Sequence, residues 1–279
     1  MLQAKPMRPE DYVFAVELAN TMDWNMATED FEFMTQLEPE GCLVLFEGSK
    51  PVGIATCISY EKVGWFGNLI VKEKYRHKGA GSFLVKHAIE YLLRKGVETI
   101  GLYAYPILTK FYSNQGFKAD EAFTVLRAQL QETLTKEELS RIGKYNIHAV
   151  TKFDKECFGG DRKRLIESII LDKGNISYCV SKDNEVVGYV AATVYDRMAW
   201  IGPLMCQKGN RDVAVALLKA ALEKLAGKTV YLALPKKETL LVNMLFSLGF
   251  KQDFDVVQMF FGPKVAKNCI YLAESLERG

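Results

Sequence analysis

Residues 66–82 of the 279-residue chain have the sequence FGNLIVKEKYRHKGAGS. An apolar run that ends at Val71 leads into a basic turn and then an amphipathic helix, the order of parts that builds an anion site at a helix N-terminus. Gly79 and Gly81 have no Cβ atom, so the backbone N–H groups between Arg76 and Ser82 can approach a ligand closely. The stretch predicts a pyrophosphate-binding turn, although a solvated basic loop would have the same composition.

Positive charge surrounds this turn at Lys72, Lys74, Arg76 and Lys78. It raises the local concentration of a multiply anionic ligand. Two common nucleotide motifs are excluded by the position of single residues. A Walker-type loop ends in Gly-Lys-Ser/Thr, whereas Lys78 precedes the glycines here. A dinucleotide fingerprint needs a third glycine at the position that Leu84 occupies.

Two short patterns resemble the GNAT superfamily of N-acetyltransferases. Its R/Q-x-x-G-x-G/A pattern is met by RHKGAG at residues 76–81, and its tyrosine before a Gly-Phe pair is met by FYSNQGF at residues 111–117. Together, and in this order, the two patterns give a resemblance that covers residues 1–130. It implies an α/β (α+β) fold in which a mixed, mostly antiparallel central sheet is flanked by helices.

Turn residues and apolar periodicity predict the elements of this first part of the chain. The expected strands cover residues 1–8, 42–47, 52–60, 65–71 and 99–104, and the expected helices cover residues 9–20, 28–37, 82–95 and 108–115.

The second half of the chain repeats this order. Trp65 recurs as Trp200 and Gly67 as Gly202, both at a spacing of 135 residues, and the Gly-Phe pair at Gly116 recurs at a spacing of 133. The repeat indicates a second domain of the same fold.

The repeat also shows how the halves differ. Gly79 and Gly81 become Ala214 and Ala216 in RDVAVALLKAALEKL, which predicts an uninterrupted helix in place of the phosphate turn. Tyr112 has no counterpart, because the residue four before the second Gly-Phe pair is Leu245. The second half is therefore predicted to have the fold without the phosphate cradle.

The whole chain resembles a tandem subgroup of GNAT acetyltransferases. The resemblance rests on Trp24-Asn25, Pro39-Glu40-Gly41-Cys42, Phe158-Gly159-Gly160-Asp161-Arg162, Gly202-Pro203-Leu204 and Gln258-Met259-Phe260-Phe261-Gly262. It implies a catalytic domain at residues 1–130, a polar linker at residues 131–142, and a degenerate GNAT-like companion domain at residues 143–279.

The resemblance implies transfer of an acetyl (acyl) group from acetyl-CoA to the amine of a small molecule or peptide, by direct attack of the amine on the thioester. It assigns the pantetheine arm of coenzyme A to Leu69, Ile70 and Val71, and the pyrophosphate to Arg76, His77, Lys78, Gly79, Ala80, Gly81 and Ser82. Tyr112 matches the family tyrosine that protonates the departing thiolate, and a phenol is normally protonated at neutral pH. A packing role for this tyrosine stays open, as does a non-catalytic acyl-CoA sensor as the function of the chain.

The acceptor site is expected at Asp23, Trp24, Asn25, Tyr60 and Trp65, because aromatic groups suit an apolar amine or a cation–π contact. Core packing would explain the aromatic residues equally well. No general base is identified, since Trp65 stands where the family often has a carboxylate. The open candidates are Asp23, Glu61, Asp161, His77, His87 and His148.

Composition excludes several classes of function. The net charge is +2 with 25% charged residues, which argues against a surface built for nucleic acid or an anionic membrane. The six cysteines form no CxxC pair, so they are expected to be reduced and buried in a cytoplasmic protein. No membrane-spanning run and no metal site are expected, and the chain is predicted to be a monomer or a homodimer.

Overall fold

The computed structural model describes residues 1–130, 139–265 and 269–279. Most of the linker predicted at residues 131–142 lies outside these ranges. The first half contains, in order, β1 (Leu2–Pro6), α1 (Tyr12–Asn20), α2 (Thr28–Leu37), β2 (Cys42–Glu47), β3 (Lys50–Tyr60), β4 (Val63–Val71), α3 (Ala80–Arg94), β5 (Thr99–Ala104), α4 (Thr109–Ser113) and β6 (Lys118–Gln129).

The second half has the same order of elements, followed by one short additional strand. It contains β7 (Ser140–Arg141), α5 (Ile147–Phe158), α6 (Lys163–Leu171), β8 (Ile176–Lys182), β9 (Glu185–Val194), β10 (Met198–Cys206), α7 (Arg211–Glu223), β11 (Thr229–Pro235), α8 (Thr239–Ser247), β12 (Lys251–Phe261) and β13 (Ile270–Leu272). The repeat expected from the sequence is confirmed, since β4 and β10 begin and end at positions 135 residues apart.

The predicted elements of the first half are present with small shifts at their ends. α2 and β5 have the expected bounds. The helix expected from residue 9 begins with a 3₁₀ turn at Pro9–Asp11 before α1, and α3 begins at Ala80, two residues earlier than expected. Such shifts are ordinary, because the first turn of a helix is often 3₁₀.

Within the described residues, thirteen strands form a single sheet in the order β1-β2-β3-β4-β5-β12-β6-β11-β10-β9-β8-β7, with β13 paired to β10. Most neighbours are antiparallel, and β4–β5 and β10–β11 are the parallel pairs. The sheet is thus the mixed, mostly antiparallel one that the sequence predicts.

The two halves exchange their last long strands in this sheet. β12 of the second half pairs with β5 through Val257 and Ala104, and with β6 through Val256 and Phe123. β6 of the first half pairs in turn with β11 of the second half. The domain boundary at residues 131–142 stays a prediction. In the folded chain, each half contributes a strand to the sheet of the other.

Helices cover both faces of the sheet in each half. Neighbouring residues of β2 alternate between two cores, with Leu43 packed in the core beneath α3 and Val44 in the core beneath α1 and α2. In the second half, α7 covers one face and α5 with α6 covers the other. No helix of the described residues is long and apolar enough to cross a membrane. The six cysteines are free thiols, and five are buried.

Candidate active site

Strands β4 and β5 separate part-way along their length. They pair in parallel only from Val63 opposite Thr99 to Trp65 opposite Gly101. In the described residues, no strand pairs with the β5-facing edge of β4 beyond that point, whereas the other edge stays paired with β3 up to Val71. We call the resulting gap beside residues 66–71 the first-half cleft. Its open backbone edge can accept an extended ligand in the manner of an added strand.

The predicted phosphate turn lies at the outer end of this cleft. Gly79 has φ +86° in the left-handed region and immediately precedes α3, and His77 also has a positive φ. The Nε atom of Arg76 donates to the carbonyl oxygen of Val71 over 2.9 Å, which holds the turn against the end of β4. Unpaired N–H groups at the start of α3 and the positive end of its dipole therefore lie where a ligand would leave the cleft.

Two further features beside the turn suit an anionic ligand with polar groups. A surface cavity of about 330 Å³ is lined by Leu2, Glu47, Lys74, Tyr75, Lys78 and Ala80. Gln115 donates through Nε2 to the Ser82 hydroxyl over 3.2 Å, but its buried Oε1 atom has no partner in the described residues. An orphaned buried acceptor between the phosphate turn and α4 would be satisfied by an N–H donor from a ligand. The residues of the turn and cleft thus fit coenzyme A.

Tyr112 lies on α4 with a buried ring. Its ring centroid is 5.0 Å from that of Phe111, 5.9 Å from Phe117 and 6.4 Å from Phe66 of β4. Burial raises the pKa of the phenol well above its ordinary value. The hydroxyl therefore keeps its proton at neutral pH, as a proton donor must.

The loop between α1 and α2 crosses to the far side of the cleft. Trp24 donates through Nε1 to the Tyr105 hydroxyl over 3.3 Å, just after the end of β5. Asp23 and Asn25 on either side of it have positive φ angles, which turn the chain sharply at this point. The predicted acceptor residues Asp23, Trp24 and Asn25 thus lie beside Tyr105.

Tyr60 and Trp65 lie deeper than the other predicted acceptor residues. They are 3% and 0% exposed. Tyr60 donates to the carbonyl oxygen of Arg278 over 3.0 Å, and Trp65 donates to that of Leu276 over 3.1 Å. The structure does not bring them together with Trp24, so their contact with an acceptor stays a prediction.

The candidate bases from the sequence are spread over the surface. Glu61 and Asp161 both contact Lys155, at 2.8 and 3.5 Å. His87 stacks on Phe83 along α3, and His148 is exposed on α5. Asp23 and His77 are exposed in their loops. None of these six side chains is held against the inner end of the first-half cleft by a contact within the described residues.

A segment that sequence reasoning missed lies between the two halves. We call residues 273–279 the bridging segment. A Cβ atom at Gly67 would lie 2.6 Å from the Cα of Glu277, and one at Gly202 would lie 1.9 Å from the carbonyl oxygen of Ala273. Only glycine admits such close backbone approach. Gly67 and Gly202 occupy equivalent positions in the sequence repeat, and this was the sequence signal that could have indicated a close backbone contact at both places.

The second half has an equivalent cleft, and its own chain fills it. β10 and β11 pair in parallel only at Met198–Trp200 and then separate, as β4 and β5 do. β13 enters this gap and pairs with β10 at Leu204 and Met205, while Ala273 donates to Ala233 of β11 over 3.0 Å. In addition, α7 already begins at Arg211, so the positions equivalent to the phosphate turn are helical, which confirms the uninterrupted helix. In the described part of the chain, the second-half cleft is therefore occupied by β13 at its edge, and no counterpart of the Gly79 turn precedes α7.

Comparisons with known proteins agree with this architecture. A model described as the acetyltransferase (GNAT) family matches residues 11–117, and one described as an acetyltransferase (GNAT) domain matches residues 150–272. The uncharacterized N-acetyltransferase YitH of Bacillus subtilis (strain 168) is 23% identical over 219 residues, which cover 76% of this chain and 75% of that protein.

Solved structures share the fold over the whole length. A protein of Pyrococcus horikoshii, assigned as an acetyltransferase, matches with a TM-score of 0.82 at 23% identity, covering 100% of this chain and 96% of the other. A tandem GNAT protein from the clavulanic acid biosynthesis pathway matches with a TM-score of 0.65 at 15% identity, covering 95% and 100%. With a GNAT match in each half and a tandem GNAT protein sharing its fold, the chain belongs to the GNAT family of acetyltransferases and carries two such domains in tandem.

Proposed function

We propose that this protein is an N-acetyltransferase that transfers the acetyl group of acetyl-CoA to the amine of a small molecule or peptide, in its first half only. One observation carries the proposal, namely the contrast between the two clefts. The first-half cleft has an open strand edge and a glycine turn at the start of α3, whereas β13 fills the second-half cleft. A ligand with an extended arm and a pyrophosphate matches the first and is excluded from the second.

The residues that would hold the coenzyme follow from this geometry. The backbone of Leu69, Ile70 and Val71 binds the pantetheine arm, and residues 76–82 bind the pyrophosphate through backbone N–H groups. Lys74 and Lys78 beside the cavity offer further positive charge to phosphate. The coenzyme supplies an activated acyl thioester when it is bound.

Tyr112 is the proton donor for the leaving sulfur in this proposal. Its raised pKa keeps the phenol neutral, and its position beside Phe66 of β4 brings it to the α3 face of the cleft. On the opposite side, Trp24 and Tyr105 offer aromatic surface to the body of the amine. The arrangement holds the acyl donor between a proton donor and an acceptor pocket.

The experiment is turnover with acetyl-CoA and a panel of alkylamines, arylalkylamines, polyamines and short peptides, measured by release of the free coenzyme thiol. Calorimetric titration with acetyl-CoA runs beside it, and one coenzyme per chain is the expected stoichiometry. Two bound coenzymes would contradict the assignment to the first half alone. Binding without thiol release for any amine would instead support a non-catalytic acyl-CoA sensor.

A further inference from the structure

The bridging segment reaches the inner end of the first-half cleft. Leu276 accepts a hydrogen bond from the Trp65 indole over 3.1 Å, and Glu277 lies directly against Gly67. Gly67 is two residues inward from Leu69, where the proposed pantetheine site begins. Glu277 therefore lies just beyond the point at which an arm along residues 69–71 would end, on the side of the sheet where the acyl group would meet an amine.

The segment is a fixed part of the fold. Tyr60 donates to the Arg278 carbonyl oxygen over 3.0 Å, and the fully buried Arg162 guanidinium donates to the carbonyl oxygen of Gly279. Displacement of the segment would break both hydrogen bonds and would leave the buried Tyr60 hydroxyl without an acceptor, which is unfavourable. Glu277 is thereby held in one position at the cleft rather than carried on a mobile loop.

The two carboxylates of the segment have different surroundings. Glu274 is 1% exposed and accepts two hydrogen bonds from Arg278, at 3.0 and 3.1 Å. Glu277 is 23% exposed and contacts the same guanidinium through Oε1 alone, at 3.0 Å. Glu274 is thus held by two hydrogen bonds from its partner in a buried position, whereas Glu277 is partly exposed, so a ligand can reach its carboxylate.

The groups that face Glu277 come from three parts of the chain. Arg278 and Glu274 belong to its own segment, Asp30 faces it from α2, and Tyr195 faces it from the turn between β9 and β10. Burial raises the pKa of the Glu277 carboxyl above its ordinary value, and Arg278 opposes this shift. Asp30 is already engaged in the first turn of α2, where its Oδ2 atom accepts from the backbone N–H of the N-cap residue Ala27 over 2.8 Å.

We propose that Glu277, delivered to the first-half cleft by the second half of the chain, is the carboxylate that binds the acceptor ammonium and removes its proton. This inference rests on the proposed function. The ammonium gives one proton to Glu277, and the nitrogen lone pair then forms the C–N bond as the C–S bond breaks. The leaving sulfur takes the Tyr112 proton, and the proton on Glu277 is passed through solvent to restore the phenol. The acylated nitrogen loses its second proton to solvent as the amide forms, and this is the one proton released per turnover.

Labelling with bromoacetyl-coenzyme A tests this position without an acceptor. If Glu277 lies beside the acyl group, its carboxylate displaces bromide and forms an ester, and mass spectrometry of the digested protein locates the added mass on Glu277. Excess acetyl-CoA should prevent labelling, and Glu277→Gln should abolish it. Glu98→Gln, at an exposed carboxylate paired with Lys62, should leave labelling unchanged and is the matched control.

Kinetics with the best amine of the panel tests the role. Glu277→Gln should lower kcat/KM at neutral pH by about 10²–10⁴-fold and leave the KM for acetyl-CoA unchanged. In the wild type, kcat/KM should rise with pH as Glu277 ionises. In the variant, it should rise only where the amine itself loses its proton. A purely structural role would lower the melting temperature and leave the pH profile unchanged.

The outcomes separate this inference from the proposed function. Failure of bromoacetyl-coenzyme A and acetyl-CoA to bind would overturn both. Binding with the label on another residue, or with no label, would overturn the position of Glu277 and leave the proposed function intact. Labelling of Glu277 together with an unchanged pH profile in Glu277→Gln would show that the side chain lies at the site without acting as the base.

Discussion

Tyr112 has surroundings that suit a neutral phenol at the proposed reaction centre. Three phenylalanine rings pack around it, and in the described residues its hydroxyl makes no hydrogen bond. Such a hydroxyl is available to a ligand, and removing it leaves the ring contacts intact. The side chain therefore allows a clean separation of proton transfer from packing.

Tyr112→Phe should lower turnover by about 10–10³-fold, because the leaving sulfur loses its proton donor while the ring stays in place. The affinity for acetyl-CoA should change little, and calorimetric titration measures it. Full activity in the variant would mean that Tyr112 only packs. A loss of coenzyme binding would mean that its role lies in binding instead.

Trp24→Ala should raise the KM for the amine or lower the kcat/KM, because the indole that contacts Tyr105 is lost from the proposed acceptor side. The KM for acetyl-CoA should stay nearly constant. Val13→Ala, at a 64% exposed position on α1, is the control for a general effect on this region. A folded Trp24 variant with normal amine kinetics would remove this residue from the site.

At the scale of elements, the N-terminus of α3 distinguishes the two halves. α3 begins after the left-handed Gly79, whereas α7 begins at Arg211 and takes in Ala214 and Ala216 as ordinary helical residues. The same supersecondary unit thus begins with a left-handed glycine turn, the proposed anion site, in one half and with continuous helix in the other.

Gly79→Ala combined with Gly81→Ala should abolish acetyl-CoA binding and keep the fold. A Cβ at Gly81 would meet Phe111 at an ordinary 3.4 Å, and alanine at the left-handed Gly79 should destabilise by on the order of 1 kcal/mol. Gly96→Ala carries the same strain at the other end of α3, with φ +85°, and should still bind. Circular dichroism first confirms that the double variant and Gly96→Ala are folded, and calorimetric titration then compares their affinities for acetyl-CoA. Wild-type affinity in the double variant would disprove the role of the turn.

The bridging segment depends on glycine in β4. Gly67→Ala should lower the free energy of unfolding by about 1–3 kcal/mol, because the added methyl group would overlap the backbone of Glu277. Gly143→Ala introduces a methyl group into open space and should be nearly neutral. Chemical denaturation measures the free energy of unfolding of both variants. Equal values would show that the bridging segment can shift to make room for the methyl group without loss of stability.

The whole molecule is held together by the exchanged strands. β12 separates β5 from β6, so residues 1–130 alone would leave two strands without the neighbour that lies between them. Unpaired strand edges and an uncovered core favour aggregation over folding. Neither half is complete without the other.

Residues 1–130 expressed alone should therefore be insoluble or lack a cooperative unfolding transition. Co-expression with residues 139–279 should restore a soluble complex that copurifies through a tag on one fragment. Circular dichroism and thermal unfolding provide the measurement. A soluble first fragment with a sharp transition of its own would show that β12 is dispensable for it.

The order of most elements of the first half, the repeat and the glycine turn before α3 could be predicted from the sequence. These features depend on residues close together in the chain: the glycines of residues 76–82 set the turn, and a spacing of 135 residues relates Trp65 to Trp200. Helix and strand periodicity is a local property, so it can be recognised without knowing which elements pack together. The contrast between Gly79 and Ala214 is local for the same reason, since each residue sets the backbone conformation at its own position.

Strand pairing, and the entry of β13 into the second-half cleft alone, depend on contacts between residues far apart in the chain. β6 and β12 are repeats of one another with similar patterns, and an apolar pattern specifies a buried face rather than a particular neighbour. The contact of Gly67 with Glu277 joins residues far apart in the chain, and no local signal marks a polar segment as buried. The proposed role of Glu277 could therefore not be predicted from the sequence, because Glu277 belongs to the second half and reaches the first-half cleft only in the folded chain.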